Sequence, residues 1–155
     1  MKVAIGQDSH KFDFNKETNT ELILGGVVFE SEIPMHANSD GDVILHAITN
    51  SISGITGVNI LGSIADGMCQ NGITDSKEYL KEALKYLHNS IVHLSICVEC
   101  KVPKISHKIE QIKECISSIL NIPTTSIGIT ATTGEGLTEF GKGNGISVFV
   151  CITVD

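Results

Sequence analysis

The segment Ile146–Val154 constrains the fold most. Ile146, Val148, Val150, Ile152 and Val154 alternate with Ser147, Phe149, Cys151 and Thr153, the period of two that a half-buried β-strand shows. As the longest apolar run it is far too short to span a bilayer as a helix. A chain carrying such a strand must supply other strands beside it and a layer over its apolar face.

The neighbours are legible. Ile91–Cys100 places Val92, Leu94, Ile96 and Val98 on one face and His93, Ser95, Cys97 and Glu99 on the other. Lys2–Gly6 and Ser126–Ala131 read as two further strands. Glu21–Phe29 reads as a strand pair broken at Gly25-Gly26. Three helices are expected. The first opens at Asp40-Gly41-Asp42, carries Val43, Ile44, Ala47, Ile48 and Ile52, and ends near Gly54. The second is capped by Asp75 or Ser76 and carries Leu80, Ala83, Leu84 and Leu87. The third is capped by Ser106 and carries Ile109, Ile112, Ile116 and Ile119. The interleaving gives an α/β (α+β) class: a mixed sheet of about four main strands, covered on its apolar face by three helices. The opposite face, with Phe149 among small residues, is neither a good core nor a good exterior. Burial against other copies of the chain would account for it.

The 155 residues, 41% hydrophobic and 19% charged, suit one domain spanning 1–155 with a real core. A net charge of -7 gives no footprint for nucleic acid or an anionic membrane. An anionic substrate must therefore be drawn by a metal or a few lysines. The N-terminus lacks the apolar stretch of a signal peptide, which points to the cytoplasm (bacterial cytosol or a plastid-like organelle). Cys97 and Cys100, at i and i+3 of a strand, point to opposite faces. The five cysteines are therefore expected to be buried, reduced thiols.

Chemistry concentrates in five places. Asp8 and His10 follow the first strand two residues apart, so both reach the same side; a surface Asp beside a hydrogen-bonded His would account for them equally. His46 lies early in the first helix, one turn before Asn50, which could simply bond it. Asp8, His10 and His46 together make a two-His, one-carboxylate set, which suits catalytic zinc with one open position. Ser39-Asp40-Gly41-Asp42 is a helix cap that also offers free N–H groups to a phosphate. Ala131-Thr132-Thr133-Gly134-Glu135 is a polar turn whose hydroxyls suit a phosphate or nucleotide and whose Glu135 suits a magnesium or manganese ion. Pro103-Lys104-Ile105 sets Lys104 in a loop, solvated or turned to an anion.

In this order and at this spacing, these features resemble the 2-C-methyl-D-erythritol 2,4-cyclodiphosphate synthase family, over nearly the whole chain. Ile23-Leu24-Gly25-Gly26, Asp75-Ser76 and the glycines 141, 143 and 145 belong to the same pattern. The resemblance implies a ferredoxin-like variant, assembled as a homotrimer with sheets facing the three-fold axis and active sites between subunits. It implies cyclisation of a small-molecule cytidine diphosphate substrate with release of CMP, with Zn2+ on Asp8, His10 and His46 and a second cation, Mg2+ or Mn2+, on Glu135. It places the cytidine on Cys100, Pro103, Lys104, Ile105, Ala131, Thr132 and Thr133. Thr133 and Glu135 join the three zinc ligands as catalytic, and Asn38, Ser39, Asp42, Gly62, Asp66 and Lys142 complete the substrate contacts.

The chain departs from the family at Asn38, where a His is usual, and at Ile60-Leu61-Gly62, where the first residue is usually Asp. Asn59 stands adjacent as a substitute. Ile64-Ala65-Asp66 and Lys142 replace Phe-Pro-Asp and Arg. Two other functions fit the same residues: a metal-dependent phosphohydrolase, and a trimeric zinc- or nucleotide-binding protein without turnover.

Overall fold

A computed structural model describes residues 1–155. Strands β1 (Lys2–Lys11), β4 (Ile91–Glu99), β5 (Ile127–Thr132) and β6 (Gly145–Val154) form one sheet in the order β1-β6-β4-β5. β6 is antiparallel to both neighbours, while β4 and β5 run parallel, so the sheet is mixed. A separate hairpin pairs β2 (Leu22–Leu24) with β3 (Val27–Phe29). Four α-helices are present: α1 (Val43–Thr56), α2 (Ser63–Gln70), α3 (Ser76–Leu84) and α4 (Ile109–Leu120). The class is the expected α+β, with one helix more than the periodicity predicts.

That extra helix, α2, fully buries only Ala65; Ile64 and Met68 pack half-buried beside it, a stripe little more than one turn long and too short to announce a helix. Other boundaries also move. α1 runs on to Thr56 and ends at Gly57, whose φ of 76° gives a left-handed cap. α4 begins after a 3-10 turn at Ser106–Lys108, so Ser106 does not cap it. Asp75 does cap α3, accepting the Lys77 N–H at 2.9 Å. A bulge between Ile91 and His93 leaves Val92 unpaired, and Val92 is exposed rather than in the apolar row.

Ile146, Val148, Val150, Ile152 and Val154 are all buried, with Leu94, Ile96 and Val98 beside them. Gly6 lets α1 lie close on β1: a Cβ there would fall 2.1 Å from the Ala47 carbonyl oxygen and 2.3 Å from the Ser51 nitrogen. Asp42 ties the layers together. Its carboxylate accepts the N–H of Gly25 at 2.8 Å, Gly26 at 2.7 Å and Leu45 at 3.0 Å, joining the β2–β3 turn to the start of α1. Burial and the nearby Asp40 charge push its carboxyl up to about 6 against the pull of those donors.

The far face of the sheet is open. Val3, Ile5 and Phe149 are 60%, 68% and 53% exposed there, a run of apolar surface with no cover in the chain itself. The thiols are free, but only Cys100 is buried; Cys97 is exposed on this face, and Cys69, Cys115 and Cys151 are half-buried. Burial and the charge of Glu99 push the Cys100 thiol up to about 11. No helix is long and apolar enough to cross a membrane.

Candidate metal centre and cavity

β1 continues past Gly6 to Lys11, so Asp8 and His10 sit within the strand, opposite Val148 and Ile146. Their side chains point toward α1, which supplies His46. Asp8 Oδ2 lies 3.0 Å from His10 Nε2 and 3.1 Å from His46 Nδ1. The two ring nitrogens lie 3.2 Å apart. Three donor atoms thus converge within 4.8 Å of one another.

The electrostatics suit a cation. Burial pushes the Asp8 carboxyl up, but hydrogen bonds and charge from His10 and His46 outweigh it and hold the group well below the usual carboxylate range. Burial lowers the basicity of His10, and the Asp8 carboxylate and the His36 carbonyl more than restore it. A carboxylate and two imidazole nitrogens aimed at one point form a donor set that fits zinc, with coordination positions left for a ligand. Asn50 does not bond His46; its amide donates to the Gln7 carbonyl at 3.0 Å. The far nitrogen of His46, Nε2, lies 2.8 Å from Ser76 Oγ and 3.5 Å from Ser39 Oγ.

A cavity of about 890 Å³ opens beside these donors. Asn38, Ser39, Gly62 and Asp66, all expected at the substrate, line it together with Asp8, His10 and His46. Leu61, Cys69 and Gln70, with no signal in the sequence beyond their nearness to Gly62 and Asp66, also line it, as does Tyr79 from α3, which carries none. Asn59 is exposed and is not part of the lining.

Asp42 departs from its expected place. It is fully buried and its oxygens are occupied by three backbone N–H groups, so it shapes the site without facing the cavity. Lys142 is exposed and paired with Glu139 at 3.1 Å.

The remaining expected residues gather elsewhere. Cys100 N–H donates to the Thr132 carbonyl at 3.0 Å, and Pro103 and Ile105 are buried below an exposed Lys104. Ala131, Thr132, Thr133 and Glu135 are exposed at the end of β5. Glu135 has a left-handed backbone, φ 51°, and Thr133 Oγ1 accepts its N–H at 3.5 Å. Ser9, Ser147, Glu99 and Thr132 form one row across the sheet, so three strand spacings, about 14 Å, separate the β1 edge from the β5 edge. Within one chain, the metal donors and the threonine turn lie on opposite edges.

Fold and site together define an α+β protein with a His-His-Asp group that could hold a metal ion, set in the wall of a cavity. A family model described as the YgbB family matches residues 1–155, and the chain belongs to that family. A Chlamydia caviae relative named 2-C-methyl-D-erythritol 2,4-cyclodiphosphate synthase is 47% identical over 156 residues, covering 99% of this chain and 88% of the relative. A Chlamydia trachomatis serovar L2b protein of the same name is 45% identical, covering 99% and 87%. Among solved structures, an IspF–CDP complex from Plasmodium falciparum superposes with a TM-score of 0.82 at 32% identity, covering 99% of this chain and 94% of that one. The bifunctional IspDF of Campylobacter jejuni superposes with a TM-score of 0.85 at 27% identity; 97% of this chain matches 41% of that longer chain.

Proposed function

We propose that the chain cyclises 4-diphosphocytidyl-2-C-methyl-D-erythritol 2-phosphate to 2-C-methyl-D-erythritol 2,4-cyclodiphosphate and releases CMP. One observation carries this reading: Asp8, His10 and His46 converge at the wall of a cavity, in a chain that aligns end to end with relatives of that name.

The chemistry asks for charge neutralisation and positioning. The attacking group is a phosphate that is already ionised, so no general base is needed. Zinc at Asp8, His10 and His46, with Mg2+ or Mn2+ at Glu135, would neutralise the phosphate and diphosphate charge. Asn38 and Ser39 donate hydrogen bonds to phosphate oxygens, and Asp66 accepts from the tetritol hydroxyls beside Gly62. Lys104, Thr132 and Thr133, with the Cys100–Ile105 loop and Ala131, hold the cytidine monophosphate end. Lys142 lends charge at the same end. Holding phosphate and diphosphate of one molecule in line gains the effective molarity of an intramolecular reaction.

The chain works as a homotrimer, in a ferredoxin-like arrangement with the open sheet faces turned to the three-fold axis. Two features support this. Val3, Ile5 and Phe149 leave an apolar face uncovered, and the metal and nucleotide groups lie on opposite sheet edges. The edges of two neighbouring copies, brought together, complete one site. The chain acts as a single catalytic domain spanning 1–155, working in the cytoplasm or an organelle stroma; the family model matching residues 1–155 supports the single domain.

Incubation of the protein with the cytidylated substrate, Zn2+ and Mg2+, followed by phosphorus NMR, tests the reading. The cyclic diphosphate and CMP are the expected products. A linear bisphosphate would make the chain a phosphohydrolase, and CMP binding without turnover would make it a binding protein.

A further inference from the structure

Ser76 is the first residue of α3 and is completely buried. Its surroundings fix the direction of its single hydroxyl proton. Asp40 Oδ2 accepts the Ser76 backbone N–H at 3.0 Å, and Asp40 Oδ1 accepts the Ser76 hydroxyl in a close contact. A carboxylate only accepts, so the hydroxyl proton is spent on Asp40. The Ser76 oxygen can then meet His46 Nε2, 2.8 Å away, only as an acceptor. His46 must therefore carry its proton on Nε2. In the neutral ring this leaves the Nδ1 lone pair free for a metal; Nδ1 is the atom that faces Asp8 and His10, and in a charged, metal-free ring its second proton goes to Asp8. Ser39 Oγ lies 3.5 Å from the same Nε2 and already accepts the Gly41 N–H at 3.2 Å, so it is the weaker of the two partners.

We infer that Ser76, oriented by Asp40, is a positioning residue that sets the tautomer and ring angle of His46 for metal binding. This rests on the assignment of Asp8, His10 and His46 as a metal site. The device spans separate elements: Asp40 precedes α1, Ser76 opens α3, and the ring they aim belongs to α1. It also accounts for a buried hydroxyl at a position where a helix cap is not needed, because Asp75 already caps α3. Partners of a ligating imidazole that hold its second nitrogen are commonly worth 10–100-fold in metal affinity.

Ser76→Ala is a clean probe. It removes the hydroxyl but keeps both the backbone N–H bond to Asp40 and the Asp75 cap. Zinc affinity, measured by competition with a chromophoric chelator, is expected to fall about 10–100-fold. Long-range proton–nitrogen NMR of metal-free protein reads the tautomer directly. Wild type is expected to show His46 protonated at Nε2, and Ser76→Ala a mixture of both tautomers, a change that a merely structural serine would not produce. Thermal unfolding of the metal-free variant, within a few degrees of wild type, checks that the fold is retained; if that variant is unstable, the wild-type tautomer alone decides. A wild-type neutral His46 protonated at Nδ1 and not at Nε2, or a folded Ser76→Ala with unchanged zinc affinity and a single Nε2 tautomer, overturns the inference while leaving the metal site standing. Failure of wild type itself to bind zinc removes the metal site, and Ser76's role with it.

Discussion

Replacing Gly6 by Ala tests whether close packing of α1 on β1 sets the geometry of the metal donors. The added Cβ would stand 2.1 Å from the Ala47 oxygen, 2.3 Å from the Ser51 nitrogen and 2.8 Å from the Ser51 Cα. All three are α1 backbone, so no side chain can swing aside. Relief to 3.0 Å, below which real Cβ atoms essentially never approach, requires the layers to part by about 0.9 Å (3.0 minus 2.1). Overpacking of this kind costs about 1–3 kcal/mol. The same displacement separates His46 from Asp8, two residues beyond Gly6, whereas metal–ligand distances tolerate about 0.2 Å. The expected result is a fall in unfolding free energy of about 1–3 kcal/mol, read from urea midpoints, together with a loss of zinc affinity of at least about tenfold. Gly67→Ala is the matched control. It lies inside α2 with nothing within 4 Å of the new Cβ, so it should gain up to about 1 kcal/mol from helix propensity and leave zinc binding alone. If Gly6→Ala keeps wild-type stability and zinc affinity, the spacing of the two layers does not govern the site.

Other consequences can be measured in parallel. Asp42→Ala strands three N–H groups, those of Gly25 and Leu45 buried and that of Gly26 half-buried, and should cost about 2–4 kcal/mol by urea denaturation; a loss below about 1 kcal/mol would show that the β2–β3 turn does not depend on it. The Asp13 carboxyl is held down at about 2 by N–H bonds from Glu17 and Thr18, against about 3.9 unfolded. A depressed carboxyl stabilises the fold above the unfolded value and loses that contribution as pH falls through the folded one. The urea-midpoint gap between wild type and Asp13→Asn should therefore narrow from pH 4 to pH 2, and a constant gap would refute the assignment. Ile5→Lys places a charge on the uncovered sheet face; if the proposed trimer packs through that face, sedimentation should report trimers for wild type and monomers for the variant, and an unchanged trimer would move the interface elsewhere.

The sheet was legible where one strand's pattern sufficed. β6, β4, α1 and α3 follow from apolar spacing, because each buries one face. β1 was read only to Gly6, since Gln7-Asp8-Ser9-His10-Lys11 has no apolar alternation; its continuation is held by pairing with residues 145–149, which no local window contains. α2 was missed because its apolar stripe, Ile64, Ala65 and Met68, spans little more than one turn. At the site, the spacing of Asp8 and His10 predicted their common direction; His46 could be grouped with them by donor type, but 36 positions separate it from His10, and the family resemblance was what placed all three on one metal. Ser76 read as a possible cap, and position alone does not tell where a hydroxyl points. Asp42 was expected among the substrate contacts; the turn N–H groups that occupy it come from Gly25 and Gly26, on a separate hairpin.

The pairing of β1 has a consequence for how the molecule comes together. β1 is an edge strand whose sole sheet neighbour is β6, and the nearest pair in their ladder, Lys11 with Gly145, is 134 positions apart (145 minus 11). Bringing together ends that far apart carries one of the largest loop-closure penalties in the chain, and distant pairings of this kind slow folding. α1, α3 and the β2–β3 hairpin can settle through nearer contacts first. The β1–β6 ladder is then expected to close late, so the sheet backing that holds Asp8 and His10 in register beneath α1 would be completed with the last kinetic phase of refolding rather than with the first gain of helix.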